Sequence, residues 1–139
     1  MTTPAGYSGT PLPAKLGIRA GHRVLLDGAP AGFDLGLLPE DVQLARRLGR
    51  PPYDVAVLFC PDHDRLVRRW PRLHDAVTQA GRLWVAWPKK ASGVATDLDD
   101  NVVRAHGLAH GRVDVKVCAI DATWSGQAFV VRLADRTAT

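Results

Sequence analysis

The chain has 139 residues, enough for one domain with a real core and too few for two. Hydrophobic residues make up 46% and charged residues 23%, a balance that excludes a disordered chain, and no apolar run approaches the length of a membrane span. Formal net charge is +4, but the arginines are scattered without interleaved aromatics, so a solvated surface explains them better than a nucleic-acid platform.

Residues 1–11 carry Pro4, Gly6, Gly9 and Pro11 and read as an extended arm. The arm is small and polar, with no basic region leading into an apolar one, so it is not expected to be a secretory signal, and the expected location is cytoplasmic. Residues 13–16 suit one helical turn closed by Gly17. Val24-Leu25-Leu26-Asp27, stopped by Gly28, predicts the first strand. Residues 28–41 are rich in Gly, Pro and Ala and predict a loop or irregular helix. Residues 42–48 fit a helical face or a short edge strand equally well.

Residues 53–60 predict a buried strand, stopped by Pro61-Asp62, with Asp62 or Asp64 as cap of the next helix. In that helix Leu66, Trp70, Leu73 and Val77 form one apolar stripe. Pro71 lies inside it and predicts a kink or break, and Gly81 is the expected stop. Residues 83–87 predict the central strand. Thr96 is the expected N-cap of a second helix, with Asp99 completing a capping box, and that helix is expected to run to Gly111. Residues 113–120 and 127–133 predict two strands joined by a turn at 121–126, hence an antiparallel hairpin. Residues 134–139 read as a frayed tail. The alternation predicts an α/β domain over residues 12–133 with a mainly parallel sheet.

That topology brings distant residues together. Ligands of open α/β sheets sit beyond the carboxyl ends of the strands, and the loops at 28–34, 61–64, 88–96 and 121–126 should share that edge. Lys89 and Lys90 supply charge there. Ser92, Gly93 and a helix start at Thr96 supply hydrogen-bonding groups for a phosphate or carboxylate. Asp121, Trp124 and Ser125 complete the expected ligand-binding set. Each also has a plainer reading: solvated lysines, a Ser-Gly turn, an aspartate closing a turn, a tryptophan plugging the end of the sheet. Cys60, Asp62, His63 and Asp64 contain metal-ligand types, but no spacing supplies the further ligand a site needs, and no metal is expected. Cys60 and Cys118 sit in apolar runs and are expected to be buried free thiols.

Two resemblances add to this reading. Leu16-Gly-Ile-Arg-Ala-Gly-His-Arg-Val-Leu-Leu-Asp-Gly28, the strand and helix of 53–80, and Gly-Arg-Leu-Trp-Val at 81–85 resemble S-adenosylmethionine-dependent methyltransferases, although Gly28-Ala29-Pro30 stands where those enzymes carry a G-x-G turn. This resemblance implies a trimmed, Rossmann-like three-layer domain and raises S-adenosylmethionine as a candidate cofactor. Gly6-Tyr7-Ser8-Gly9, Lys15-Leu16-Gly17-Ile18, Trp87-Pro-Lys-Lys-Ala-Ser-Gly-Val94 and Trp124-Ser125-Gly126 resemble a bacterial family of small proteins catalogued as a domain of unknown function. The expected function is binding of an anionic small molecule or nucleotide at the carboxyl edge. The alternatives are a non-catalytic protein-interaction or regulatory module on a degenerate methyltransferase-like scaffold, and methyl transfer itself.

Overall fold

The structure, a computed structural model, describes residues 10–137. Most of the expected arm and the last two residues of the tail lie outside the described residues. From Pro11 the chain enters helix α1 (Leu12–Leu16), which Gly17 ends in the left-handed region at φ +83°. A side chain at 17 would also press on the guanidinium of Arg82, at 2.9 Å, so two constraints require glycine. Five residues of helix do not hold together alone. Burial of Leu16 and a hydrogen bond from Trp84 Nε1 to its carbonyl, 2.9 Å, fasten α1 to the sheet.

The strands are β1 (Arg23–Asp27), β2 (Gln43–Ala45), β3 (Tyr53–Phe59), β4 (Val77–Pro88), β5 (Val113–Ala119) and β6 (Trp124–Val130); helices α2 (His63–Ala76) and α3 (Asp100–Ala109) flank β4 in sequence. They form one six-stranded sheet in the order β2-β1-β3-β4-β6-β5. β2, β1, β3 and β4 run parallel, and β6 is antiparallel to both β4 and β5. The chain is α/β with a mixed sheet. The apolar runs of β1, β3 and β4 are buried on both faces, which is why they lack alternation. Alternate residues feed two cores. Leu25, Leu58 and Val85 pack under α2 and α3, while Leu26, Val57 and Trp84 pack under α1 and the irregular segment that supplies Phe33 and Leu35.

Of the two readings open for 42–48 the short edge strand is the one found, over Gln43–Ala45. Several other expectations need correction. Pro71 does not interrupt α2. Burying Leu66, Trp70 and Leu73 contributes about 1.5–3 kcal/mol each, and together more than the ~3 kcal/mol an interior proline costs. Val67, whose carbonyl loses a donor to that proline, is 46% exposed and open to water. Helix α2 ends at Ala76 rather than Gly81, and Val77 starts β4. Thr96 is not the N-cap of α3; Asp99 is, accepting from the Val102 N–H at 2.8 Å, and the helix ends at Ala109. The last strand begins at Trp124 and ends at Val130, earlier than the expected 127–133.

The early start of β4 has a specific cause. Tyr53 pairs with Val77 but Val55 with Arg82, so residues 78–81 bulge out of the ladder. Their carbonyls need donors. Arg112, only 2% exposed, supplies two of them and ties the bulge to the end of α2: its guanidinium donates to the carbonyls of Thr78 (3.4 Å) and Gly81 (3.3 Å) in the bulge and of His74 (3.1 Å) and Val77 (2.9 Å) just before it, and its Nε to His74 Nδ1 (3.0 Å). Burial, and the charge of Arg136, pull its pKa down to about 10, so it stays charged. Carbonyl dipoles take the place of a counter-ion. Replacing Arg112 with Ala should therefore cost at least about 3 kcal/mol, because several buried carbonyls lose their donors together. Urea denaturation should show a lower midpoint at unchanged slope, and Arg112→Lys, with fewer donors and no planar fork, should recover little of it.

Candidate functional site

The carboxyl ends of β1, β3, β4 and β5 share one edge, and the four expected loops leave from it. They are tied to one another. The Lys89 N–H donates to the Thr123 carbonyl at 2.9 Å, joining the β4 loop to the hairpin tip. At its far end the same loop is held to α2: Thr96 Oγ1 donates to the Pro61 carbonyl at 2.8 Å, and Asp97 Oδ1 accepts from the His63 N–H at 2.8 Å. The 89–99 segment is thus a strap fixed at both ends.

Most sequence-predicted site residues lie on this rim, but their polar atoms are already engaged. Ser92 Oγ donates to the Lys89 carbonyl at 2.6 Å and accepts from the Val94 N–H at 3.2 Å, and Gly93 closes the turn at φ +76°. Asp121 Oδ1 accepts from the Thr123 and Trp124 N–H groups, each at 2.8 Å. Trp124 packs edge-on against Phe59 with ring centroids 5.2 Å apart, and Ser125 pairs with Trp87 in the sheet. The N-termini of α2 and α3 are capped by Asp62 and Asp99. Lys89 is half-buried and Lys90 exposed, and neither forms an ion pair among the described residues.

The strand order reverses between β1 and β3, the position where such sheets usually hold their ligand. Here the chain fills that position itself. Asp27, buried at the end of β1, receives the guanidinium of Arg65 on Oδ1 and that of Arg69 on Oδ2, the latter at 2.5 Å. Arg65 Nε also donates to the Phe59 carbonyl at 2.8 Å. Gly28 follows Asp27 at φ +78°, and any Cβ there would collide with Arg65. The sequence places Asp27 on this edge but does not disclose its partners, because Arg65 and Arg69 look like ordinary helix-surface residues.

The open space lies on the other face of the same edge. A cavity of about 650 Å³ is enclosed by α1, the segment after β1 and the tip of the hairpin. Its walls are mainly apolar (Leu12, Phe33, Leu35, Leu37, Ile120), and three ionisable residues line it: Lys15, Asp34 and Asp121. Phe33 is held by an edge contact with Phe59, centroids 5.0 Å apart. Lys15 Nζ makes one long hydrogen bond, 3.4 Å, to the Ala119 carbonyl. Of the expected site residues only Asp121 borders this space. Alternation of Phe33, Leu35 and Leu37 through a Gly- and Pro-rich stretch was the available signal, since a solvated loop has no use for it.

The remaining titratable groups lie elsewhere. Cys60 is fully buried under α2, which pushes its thiol up to about 12, so it is inert. Cys118 is half-buried rather than buried, on the opposite face; burial raises its pKa against the pull of Lys15, Lys116 and Arg82. Asp64 pairs with Arg68, and no group of three or more His, Cys, Asp or Glu among the described residues is arranged to hold a metal. Between α2 and α3, His106 stacks on His110 with centroids 4.0 Å apart and meets Trp70 and His63 edge-on. Burial, then the charges of His110 and His63, lower His106 to about 4; burial and Arg112 also lower His74.

No family model, curated protein or solved structure matches this chain.

Asp27→Asn should cost about 3 kcal/mol, because two guanidinium groups then face an uncharged amide; a D27N variant as stable as the native protein would make the ion group superficial. The histidines give a pH dependence of fixed sign. Their folded pKa values lie below the unfolded 6.5, so the unfolded chain takes up protons first as pH falls. Stability is complete above pH 6.5 and declines toward pH 4. Thermal melts across that range should show the decline, and His106→Gln should flatten it.

Proposed function

We propose that this protein binds a small organic molecule at the carboxyl edge of its sheet, in the cavity between α1, residues 32–37 and residues 119–122. The observation that carries the reading is a half-enclosed apolar space of about 650 Å³ with a lysine in its wall, at the edge where α/β sheets take ligands. An anionic group of the ligand meets Lys15 rather than the Lys89 loop, whose hydrogen-bonding atoms are engaged by the loop itself. Lys89 and Lys90 do not line this space.

We read the architecture as a trimmed Rossmann-like domain. The reversal of strand order between β1 and β3 and the terminal hairpin support this, as does the resemblance to S-adenosylmethionine-dependent methyltransferases. Methyl transfer is the weaker reading, because Arg65 and Asp27 occupy the crevice between β1 and β3 and Gly28-Ala29-Pro30 replaces the glycine-rich turn. One observation favours a protein partner as a second reading. β5 is an edge strand, and Val115 and Val117 on it are 51% and 59% exposed.

An apolar anion, 1-anilinonaphthalene-8-sulfonate, tests the cavity directly. It should bind saturably at one site with increased fluorescence. Leu37 lines the cavity yet is 95% exposed, so Leu37→Asp should leave stability within about 0.5 kcal/mol while weakening the dye by about tenfold or more. Lys15→Met should also weaken it. Equal dye binding by native, Leu37→Asp and Lys15→Met proteins would reject the reading, and a loss confined to Lys89→Ala and Lys90→Ala would return the site to the β4 loop.

A further inference from the structure

Resting on that reading, we infer that the cavity takes an amphoteric ligand, with an apolar body, a carboxylate for Lys15 and an ammonium group for Asp34 and Asp121, and that it rejects nucleotides. The charges lining the space point this way. The chain as a whole is positive, at +4, but the ionised lining is one lysine and two aspartates, so the cavity is locally negative. A nucleotide brings several negative charges to a space already lined by two carboxylates, and like charges oppose binding. An apolar molecule with a single negative charge would satisfy Lys15 and leave both aspartates unanswered.

The two carboxylates are fixed in advance. Asp34 Oδ1 accepts from the Gly36 N–H at 2.8 Å, and Asp121 Oδ1 accepts from two backbone N–H groups at the hairpin tip. In each case the turn holds one oxygen, while the other accepts no hydrogen bond among the described residues. A carboxylate oriented by backbone and free on one side is organised to receive a cation without losing side-chain freedom on binding. Lys15 forms no ion pair with either aspartate among the described residues, although all three line the same space. Its single bond to the Ala119 carbonyl is long at 3.4 Å, and a ligand carboxylate offers a shorter, charge-assisted replacement.

Volume narrows the class further. A space of about 650 Å³ exceeds what one amino acid fills and suits a molecule the size of an apolar di- or tripeptide with both termini free. Such a ligand places its side chains against Phe33, Leu35 and Ile120 and its two termini at opposite charges.

Displacement of the anilinonaphthalene dye distinguishes the possibilities. The competitors are a set of apolar dipeptides and tripeptides with free termini, the same peptides acetylated at the amino end, the same peptides amidated at the carboxyl end, and AMP and ATP. Free-terminus peptides should compete at least about tenfold better than either blocked form, and the nucleotides should not compete. The double variant Asp34→Asn/Asp121→Asn keeps an acceptor oxygen for each turn, so it should fold, and it should lose the preference for a free amino terminus while still binding the dye. Dye that binds the cavity but is displaced as well by acetylated peptides or nucleotides overturns the inference and leaves the binding reading standing. Dye that is indifferent to Leu37→Asp and Lys15→Met removes both.

Discussion

The buried carboxylate of Asp27, shared between Arg65 and Arg69, is the interaction on which the layout of this molecule turns. A carboxylate at the end of a central parallel strand cannot stay ionised without compensation. The two guanidinium groups come from one face of α2, four residues apart, so a single helix orientation satisfies both carboxylate oxygens. Arg65 adds the free carbonyl of Phe59 at the end of the neighbouring strand. Helix, β1 and β3 are thereby locked at their common end, and the crevice between the two strands is filled by protein. Any ligand must use another part of the edge.

That other part exists because the two faces of the sheet are covered unequally. On one side α2 and α3 bury regular apolar stripes, including Leu66, Trp70 and Val103. On the other the cover is five residues of α1 and an irregular segment with glycines at 28, 32 and 36. A segment without helical ridges cannot interdigitate along the sheet, so it touches through isolated anchors, chiefly Phe33 and Leu35. The contacts of Phe33 with Phe59 and of Phe59 with Trp124 form an edge-to-face series that props this cover from beneath. Between the anchors and the hairpin tip the cavity remains. Trp124, whose position would also suit a stacking platform, is part of the prop.

The parts of this arrangement that were legible in the sequence are those governed by local pattern. The strands of β1 and β3, the α2 stripe and the Gly17 stop follow from runs and spacings a few residues long. The convergence of the four loops follows from the order of elements alone. What escaped were interactions between residues far apart in the chain. Arg112 reaches back more than thirty residues to the β4 bulge, and nothing near it in sequence announces that it is buried. Thr96 has the composition of an N-cap, but its hydroxyl is taken by Pro61 across the edge, leaving Asp99 to start α3 three residues later. The cavity joins α1, the post-β1 segment and the hairpin, and three segments so separated leave no common motif. The sequence places Asp121 on the right edge, but beside Lys89 and Lys90 rather than with Lys15 and Asp34 around one space.

Gly28 shows how the crevice between β1 and β3 is closed. In a glycine-rich turn after a first strand, the missing side chains allow a ligand to approach the backbone closely. This chain has a single glycine after its first strand, in the left-handed conformation, and the group that approaches it is the guanidinium of its own Arg65. One close approach needs one glycine, and Ala29 and Pro30 follow it. The same substitution of protein for ligand explains why Asp27 is buried in an ion group instead of facing solvent. The crevice where such sheets take a charged cofactor is closed here by charges of the protein itself, and the space for recognition lies on the side of the sheet where the covering is thin.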